Sequence, residues 1–276
     1  RFGEHTQIMG ILNLTPDSFS GDGLFSKSQI PNPKSQIKKI IGIAEKMIRD
    51  GADILDIGGE SSRPGAKNIP VKEELKRVVP VVKLLAKKIE IPISVDTYKH
   101  EVAQAALDNG ASIVNDITAL SDKKMPEIIK KYDAAVVLMH MQGRPQDMQN
   151  RPHYKSLIPE IIKYLSKKIE IAVDSGINPD KIIIDPGIGF GKTLAHNLEI
   201  INRLREFGVL KRPILVGPSR KSFIGKILAK DTTERVFGTA AAVALAIANG
   251  AHIVRVHDAR QMRDVAKVCD AILTYA

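Results

Sequence analysis

The chain has 276 residues, 43% of them hydrophobic, which is enough for one large domain with a sizeable core. No apolar run approaches the roughly 20 residues that a membrane-spanning helix needs, so we expect no contact with a membrane. The net charge of +10 indicates a lysine-rich surface or attraction for small anions, whereas only 4% aromatic residues and no arginine-rich tract argue against nucleic acid.

Eight short runs of apolar, mostly β-branched residues recur along the chain and predict strands. They do not alternate with polar residues, which is typical of strands buried on both faces of a parallel sheet. The runs are Ile8–Leu12, Ile54–Ile57, Ile93–Val95, Ile113–Val114, Ala135–Met139, Ile182–Ile184, Ile214–Val216 and Ile253–Val256.

Helical patterns fill the gaps between these strands. Ile37–Asp50 shows the spacing clearly, because its apolar residues recur every three or four positions. The other predicted helices are Glu73–Ile89, Glu101–Asn109, Pro126–Tyr132, Pro159–Ser175, Asn197–Phe207, Glu234–Ala248 and Met262–Ile272. Since strand and helix alternate along the chain, we predict an α/β fold, a single-domain (β/α)8 TIM barrel over residues 1–276.

Polar residues and glycines follow the predicted strands, at the end of the barrel where such enzymes carry their active sites. Asn13 follows the first strand and leads into Pro16-Asp17-Ser18; a turn alone would explain the triplet, but the added Asn13 favours function. After the second strand, two glycines, two serines and Arg63 predict an anion-binding loop, with a solvated turn as the alternative.

Three further residues end predicted strands with an amide or a carboxylate. Asp96, Asn115 and Asp185 follow the third, fourth and sixth strands. One such residue is often only a helix N-cap, but three of them at one barrel mouth indicate a binding site. Carboxylates and an amide can bind the donor-rich edge of a nitrogen heterocycle.

The last three strands lead into candidate phosphate-binding segments. Gly187–Thr193 lacks the spacing of a P-loop, and we interpret it as a glycine-rich barrel loop that exposes Phe190. Ser219–Ser222 follows the seventh strand, and Arg255 and His257 follow the eighth, where barrels frequently bind phosphate. Because Arg255 and His257 are two residues apart on a strand, they point to the same face.

The single cysteine, Cys269, excludes an intrachain disulfide and any metal site built from several cysteines. It favours a reducing compartment, and we expect a cytoplasmic protein. Cys269 lies in an apolar helical pattern with Val265, Val268 and Ile272, which predicts a position in the core.

Together these motifs resemble the dihydropteroate synthase family, the sulfonamide target of folate biosynthesis, from about Ile8 to Ala276. The segments that carry the resemblance are Met9–Ser20, Asp56–Gly65, Asp185–Gly191, Ser219–Gly225 and Arg255–Asp258. The resemblance implies a (β/α)8-barrel transferase. It would condense 6-hydroxymethyl-7,8-dihydropterin diphosphate with p-aminobenzoate by an SN1-like route, giving 7,8-dihydropteroate and diphosphate with assistance from Mg²⁺.

The resemblance also implies roles for individual residues. The pterin would contact Asp96, Asn115, Met139, Asp185, Phe190, Gly217, Lys221 and Arg255. The p-aminobenzoate would contact Ser62, Arg63, Pro64, Phe19, Phe190, Lys221 and Ser222. The diphosphate would contact Asn13, Arg63, Arg255 and His257, with Asn13 also on Mg²⁺. Catalytic roles would fall to Lys221, Arg255, Asp96, Asp185 and, on a mobile first loop, Asp17.

Two departures from the family pattern bear on these roles. The first loop reads Gly21-Asp22-Gly23 where the family commonly has Asp-Gly-Gly, and Ser62 stands where the family commonly has Thr. The chain begins at Arg1 rather than Met, and some family members carry an upstream pterin diphosphokinase, so this chain could be the synthase part of such a fusion. We also expect a homodimer.

Two other functions compete with this interpretation. A pterin-binding methyltransferase that presents methyltetrahydrofolate to a corrinoid shares the barrel and the carboxylates. It has no need for Ser219–Ser222 together with Arg255 and His257, which argues against it. A non-catalytic pterin-binding protein would keep the barrel but would not release diphosphate when both substrates are mixed.

Overall fold

The computed structural model of the protein describes residues 5–15, 33–63 and 65–275, and of residues 33–36 it describes the backbone. Eight strands form one parallel sheet in the order β6-β5-β4-β3-β2-β1-β8-β7. A bridge between Ile184 and Ile214 joins the two edges and closes the barrel, which confirms the predicted fold. The strands are β1 (Gln7–Asn13), β2 (Ile54–Gly58), β3 (Ile93–Asp96), β4 (Ile113–Asp116), β5 (Ala135–Met139), β6 (Ile182–Asp185), β7 (Leu215–Val216) and β8 (Ile253–Val256).

Helices surround the barrel and cover the outer faces of the strands. They are α1 (Pro33–Arg49), α2 (Val71–Leu85), α3 (His100–Asp108), α4 (Met125–Lys131), α5 (Leu157–Asp174), α6 (Leu194–Asn202), α7 (Ser222–Leu228), α8 (Val236–Ala248) and α9 (Ala259–Thr274). Short 3₁₀ turns lie at Pro179–Lys181, Leu204–Leu210 and Thr232–Glu234. No helix in the described ranges is long and apolar enough to cross a membrane.

Three predictions about the helices need correction. The predicted helix Asn197–Phe207 is split, because α6 ends at Asn202 and a 3₁₀ turn continues the chain. Helix α7 was not predicted, because Ser219–Ser222 was interpreted only as a phosphate-binding segment after the seventh strand. Cys269 is only partly buried against the core, because α9 turns Val268 and Ile272 to the surface, 60% and 68% exposed.

The interior of the barrel is filled in layers. A lower layer of buried apolar side chains comes from seven of the eight strands: Met9, Ile54, Ile113, Val137, Ile183, Leu215 and Ile253. Side chains two positions further along a strand point to the same face, so the next layer toward the carboxyl ends also faces the interior. That layer consists of Ile11, Asp56, Asp96, Asn115, Met139, Asp185, Gly217 and Arg255. The barrel therefore changes from apolar to polar within one step of two residues.

Candidate active site

The polar layer brings together most of the site residues that the sequence predicts on strands. Asp96, Asn115 and Asp185 are all buried, at 8%, 4% and 6% exposure. None of them caps a helix, because the N-cap positions of α3, α4 and α6 are Lys99, Lys124 and Thr193. The alternative interpretation of these residues as helix caps is therefore wrong.

One arginine links the polar layer across the barrel. Arg255 donates from Nε to Asp56 Oδ2 at 2.6 Å and from Nη2 to Asp96 Oδ2 at 2.7 Å. Asn115 Nδ2 donates to the same Asp56 oxygen at 3.1 Å. Asp56 is fully buried, and its Oδ1 has no hydrogen-bond partner among the described residues. Arg255 is thus held between two carboxylates that lie on neighbouring strands.

Sequence reasoning missed Asp56 as an individual site residue. The signal was available, because Asp56 follows Ile54 by two positions just as Asn115 follows Ile113. In the parallel register Asp56 pairs with Ser94 of β3. Asp96 is the next residue of β3 whose side chain points into the barrel. Because it accepts hydrogen bonds from both Arg255 and Asn115, Asp56 holds two members of the polar layer together.

The two predicted pterin carboxylates keep acceptor capacity. Asp185 Oδ1 accepts from the backbone N–H of Gly187 at 2.6 Å, and among the described residues nothing donates to its Oδ2. Burial raises the pKa of Asp185 to about 6 and that of Asp96 to about 7, although Lys192 and Arg255 respectively oppose the shift. Both groups can therefore accept a ligand's donors once they have lost their protons.

Lys221 lies beside these carboxylates and forms no ion pair with any residue that the structure describes. Its Nζ is 4.1 Å from the centroid of the Phe190 ring, and no hydrogen bond from Nζ to any described residue is formed. Burial and the nearby Arg255 lower the pKa of Lys221 to about 8, despite the opposing effects of Asp185 and Asp96. An ammonium with three free donors at the edge of a polar layer is well placed to bind a ligand.

Phe190 and Met139 form the apolar wall of the mouth. They pack in one buried cluster with Ile117 and Met148. Phe190 is only 8% exposed, so the expectation that its loop exposes it is wrong. The Phe190 ring is buried against Ile117, Met139 and Met148. Lys192 Nζ is also buried and donates to the carbonyl oxygens of Phe190 at 2.9 Å and His140 at 3.3 Å. Lys192 thus fixes the glycine-rich loop from inside and does not face the site.

A cavity of about 390 Å³ opens above Arg255 on the other side of the mouth. Eight of the predicted site residues line it: Asn13, Ser62, Arg63, Gly217, Lys221, Ser222, Arg255 and His257. Arg220 and Arg235 line it as well, and sequence reasoning had not singled them out individually. No acidic residue is among the described residues that line this cavity, so it suits anions. Asp17, Phe19 and Pro64, which the sequence places at the same site, lie outside the described residues.

Ser219 determines which ring nitrogen of His257 carries the proton in this cavity. The backbone N–H of His257 donates to Ser219 Oγ at 3.2 Å, and Ser219 Oγ lies 3.0 Å from His257 Nδ1. The hydroxyl can satisfy both contacts by accepting from the N–H and donating to Nδ1, which leaves the proton of the neutral ring on Nε2. Burial, with Arg220 and Arg255 nearby, lowers the pKa of His257 to about 3, so the ring is neutral near pH 7.

The chain supplies few ligands for a metal ion at the mouth. Among the described residues, the one group of three metal-ligating side chains is His100, Glu101 and Asp122, which lies at the start of α3 and away from the site. Asn13 lines the cavity beside Arg63, Arg255 and His257, and its amide oxygen makes no hydrogen bond to the described residues. One amide oxygen fits a Mg²⁺ ion that takes its other ligands from phosphate and water.

Comparisons with known proteins show which family the chain belongs to. A family model described as "Pterin binding enzyme" matches residues 9–257. A dihydropteroate synthase from Synechocystis is 46% identical over 273 residues, covering 98% of this chain and 91% of that protein. A folate synthesis bifunctional protein from Arabidopsis thaliana is 39% identical over 289 residues, covering 99% of this chain and 58% of that protein.

Solved structures of dihydropteroate synthases are also similar to this chain. The dihydropteroate synthase of Yersinia pestis, in a sulfonamide drug complex, superposes with a TM-score of 0.91 at 40% identity, covering 98% of this chain and 95% of that chain. The enzyme of Clostridium difficile, solved in the presence of pteroic acid, gives 0.90 at 43% identity and 98% coverage of both chains.

The fold and the acceptor-rich mouth, together with the family match, define a pterin-binding barrel enzyme. More narrowly, the chain belongs to the dihydropteroate synthase family, and it is a transferase of folate biosynthesis.

Proposed function

We propose that this chain joins a dihydropterin diphosphate to p-aminobenzoate with the residues of the polar layer and the cationic cavity. The observation that carries the proposal is their adjacency: Arg255 belongs to both, since it contacts Asp56 and Asp96 and lines the cavity. When a heterocycle binds to the polar layer, a diphosphate attached to its exocyclic carbon would therefore lie in the cavity. The sulfonamide and pteroic acid complexes of the two structural relatives support the same pair of ligands.

The pterin occupies the polar layer. Asp185, Asp96 and the free amide oxygen of Asn115 accept hydrogen bonds from its donor-rich edge, and Lys221 donates to an acceptor of the ring. Met139 and Phe190 supply the apolar face, and Gly217 leaves room beside Arg255, whose Cβ would lie 3.7 Å from a Cβ added to the glycine. Catalytic roles for Asp96, Asp185, Lys221 and Arg255 follow from this placement.

The leaving group occupies the cavity. The bond between the exocyclic carbon of the pterin and the diphosphate oxygen breaks, and its electron pair leaves with the diphosphate. Arg255, Arg63 and the Nε2–H of His257 stabilise this charge with donors that are already in position. The cation that forms on the pterin lies against Asp96 and Asp185, which stabilise it electrostatically and favour the SN1-like route.

The p-aminobenzoate enters from the side of the cavity where Ser62, Arg63 and Ser222 lie. Its carboxylate is an anion, and Arg63 and Arg235 give that side a positive potential. The neutral amino nitrogen attacks the exocyclic carbon, forms the new C–N bond and releases its extra proton to water, so no strong general base is required.

In this proposal the residues around Asn13 would hold a Mg²⁺ ion beside the leaving group. When bound, the ion neutralises negative charge on the phosphate oxygens. Asn13 would hold it through the amide oxygen, and Arg63, Arg255 and His257 would hold the diphosphate beside it. Calorimetry of diphosphate binding with and without Mg²⁺ tests this role: Asn13→Ala should reduce the gain in affinity that Mg²⁺ gives the unaltered chain, and an unreduced gain would contradict the role of Asn13.

The deciding experiment for the reaction is a coupled diphosphate-release assay with the dihydropterin diphosphate, with and without p-aminobenzoate. The proposal expects release that depends on p-aminobenzoate and a product that contains both parts. A chain that binds the pterin but releases no diphosphate would be a non-catalytic binding protein, and the reaction assigned here would be wrong.

A homodimer forms through the exposed apolar face of α7, α8 and α9 in this proposal. Ile227, Phe237 and Leu245 are 54%, 82% and 58% exposed there, beside an apolar groove between α6, α7 and α8. Contiguous apolar patches of this kind mark interaction surfaces. Sedimentation velocity should show a dimer that Phe237→Lys dissociates, whereas Val209→Lys, which alters another exposed apolar residue, should leave it intact. A cytoplasmic location and an upstream diphosphokinase stay predictions.

A further inference from the structure

A second buried polar cluster lies beside the mouth and is not used by the proposed chemistry. It consists of Lys99, Glu60, Glu74 and Tyr98, and we refer to it as the Lys99 cluster. Lys99 Nζ donates to Glu60 Oε2 at 2.5 Å, to Glu74 Oε2 at 2.7 Å and to the carbonyl oxygen of Ile69 at 2.8 Å. All three protons of this ammonium are therefore used within the protein.

The cluster joins the two ends of one loop. Glu60 follows β2, and its Oε2 also accepts from the backbone N–H of Ile69 at 3.2 Å, while Lys99 contacts the carbonyl of the same Ile69. Glu60 Oε1 accepts from the Tyr98 hydroxyl at 2.6 Å. Positions 60 and 69 are thus tied together, and both are tied to the residues that follow β3.

The loop between these two positions carries Ser62 and Arg63. Within the loop, the N–H of Ala66 donates to the carbonyl of Arg63 at 3.0 Å and the N–H of Arg63 reaches Ser61 Oγ at 3.4 Å, but the Arg63 side chain forms no hydrogen bond to the described residues. Further along, the N–H of Gly65 donates to the carbonyl of Pro145 at 3.0 Å. The placement of Arg63 therefore depends on how the ends of its loop are held.

We propose that Lys99 and Glu60 are positioning residues that hold the loop of Ser62 and Arg63 in place for p-aminobenzoate. The proposal rests on the function proposed above, and it deepens that function by separating two sets of residues. The pterin is bound by side chains on the strands β3, β4 and β6, whereas p-aminobenzoate depends on a loop that the Lys99 cluster fastens.

The buried charges explain why Lys99 is the sensitive member. Glu74 is 1% exposed and Glu60 is 9% exposed, so the two carboxylates share one ammonium with little water. Removal of that ammonium leaves two buried acids facing each other, which drives them apart or protonates one of them. Either outcome releases Ile69 and widens the base of the loop.

The test compares Lys99→Met with the unaltered chain in steady-state kinetics. We expect the KM for p-aminobenzoate to rise at least about tenfold, because a misplacement of about 1 Å can cost up to about a hundredfold. The affinity for the free pterin alcohol, measured by calorimetry, should stay within about twofold, since its ligands lie on strands. Lys181→Met is the matched control, because it removes a lysine paired with Asp133 far from the mouth.

A second variant keeps the proposal testable if Lys99→Met does not fold. Glu60→Gln preserves the shape of the side chain and removes its charge, and it should raise the same KM with the same unchanged pterin affinity. A purely structural role would lower the melting temperature and the active fraction while leaving KM unaltered, and that result would overturn the inference. Parallel losses for both ligands would also overturn it.

The failure of this inference is distinct from failure of the proposed function. No diphosphate release by the unaltered chain would overturn the proposed function and the inference with it. Release by the unaltered chain with a normal KM for p-aminobenzoate in both variants would overturn only the inference.

Discussion

Lys99 follows β3 and Lys221 follows β7, on opposite sides of the barrel mouth, and their surroundings also differ. Lys99 uses its three donors on Glu60, Glu74 and a carbonyl, whereas Lys221 forms no hydrogen bond within the described residues. Burial by itself acts to lower the pKa of both ammonium groups. For Lys99 the hydrogen bonds to Glu60 and Glu74 outweigh burial and the pKa is raised, but for Lys221 burial and Arg255 prevail.

This difference distinguishes two kinds of buried polar group. We call a group closed when its hydrogen bonds are all made within the protein, and open when it keeps donors or acceptors that a ligand can use. A closed cluster such as that of Lys99 has nothing left to offer a ligand and can act only through the loop it holds. An open group such as Lys221 is costly to bury without a partner, and a ligand that supplies one recovers that cost. Open groups therefore mark the binding site in this barrel. Closed groups mark its supports.

Arg255→Ala should give the largest effect, because Arg255 holds two buried carboxylates of the polar layer and also lines the cavity. Its removal leaves Asp56 and Asp96 buried without a cation, and breaking such a pair costs about 3–5 kcal/mol of stability. Urea denaturation measures the loss. Arg203→Ala removes an exposed arginine paired with Glu199 and Glu206 and should cost much less stability, because solvent screens these pairs. Equal losses of stability in the two variants would show that solvent screens the charges at the barrel mouth as strongly as those on the surface.

Asp185→Asn should weaken pterin binding at least about tenfold, because the loss of a charged hydrogen bond costs roughly 1.5–3 kcal/mol. The substitution replaces one acceptor oxygen by a donor at an open position. Calorimetry with a pterin ligand measures the change, and Asp180→Asn, at an exposed position before β6, serves as the control. Unchanged pterin affinity in Asp185→Asn would remove Asp185 from the site.

Ser219→Ala should have a smaller effect that falls on the diphosphate alone. Without the hydroxyl, the neutral ring of His257 can carry its proton on either nitrogen, so its donor toward the cavity is present only part of the time. We expect diphosphate affinity to fall about two- to tenfold, in line with about 0.5–1.5 kcal/mol for one hydrogen bond. The ¹⁵N shifts of His257 report the tautomer, and Ser175→Ala is a surface control. An unaltered tautomer in Ser219→Ala would contradict the assignment.

The sequence predicts the open groups better than the closed ones. Asn13, Asp96, Asn115 and Asp185 stand directly at strand ends, and a period of two places them all inside the barrel. Their surroundings are set locally, so a single sequence is enough to find them. Asp56 has the same signal but was not singled out, because only its contact with Arg255 shows its importance.

The closed groups could not be predicted, because they depend on contacts between distant segments. Lys99 meets Glu60 across 39 positions and Glu74 across 25 positions. Phe190 was expected at the surface for the same reason: its ring is buried against Ile117, Met139 and Met148, which belong to distant segments of the chain. Such pairings require the folded barrel, and no periodic pattern in the chain records them.

The pH dependence of pterin affinity tests the distinction between open and closed groups most directly. Asp185 and Asp96 must be ionised to accept the pterin's donors, so affinity should rise with pH through their pKa values of about 6 and about 7. Lys221 must keep its proton to donate, so affinity should fall again as pH rises through its pKa of about 8. In Lys221→Arg, which keeps its charge, the account predicts that this fall disappears, and any fall that persists belongs to the ligand. An identical alkaline fall in both proteins, or none in the unaltered chain, would contradict the claim that Lys221 is an open group that binds the pterin.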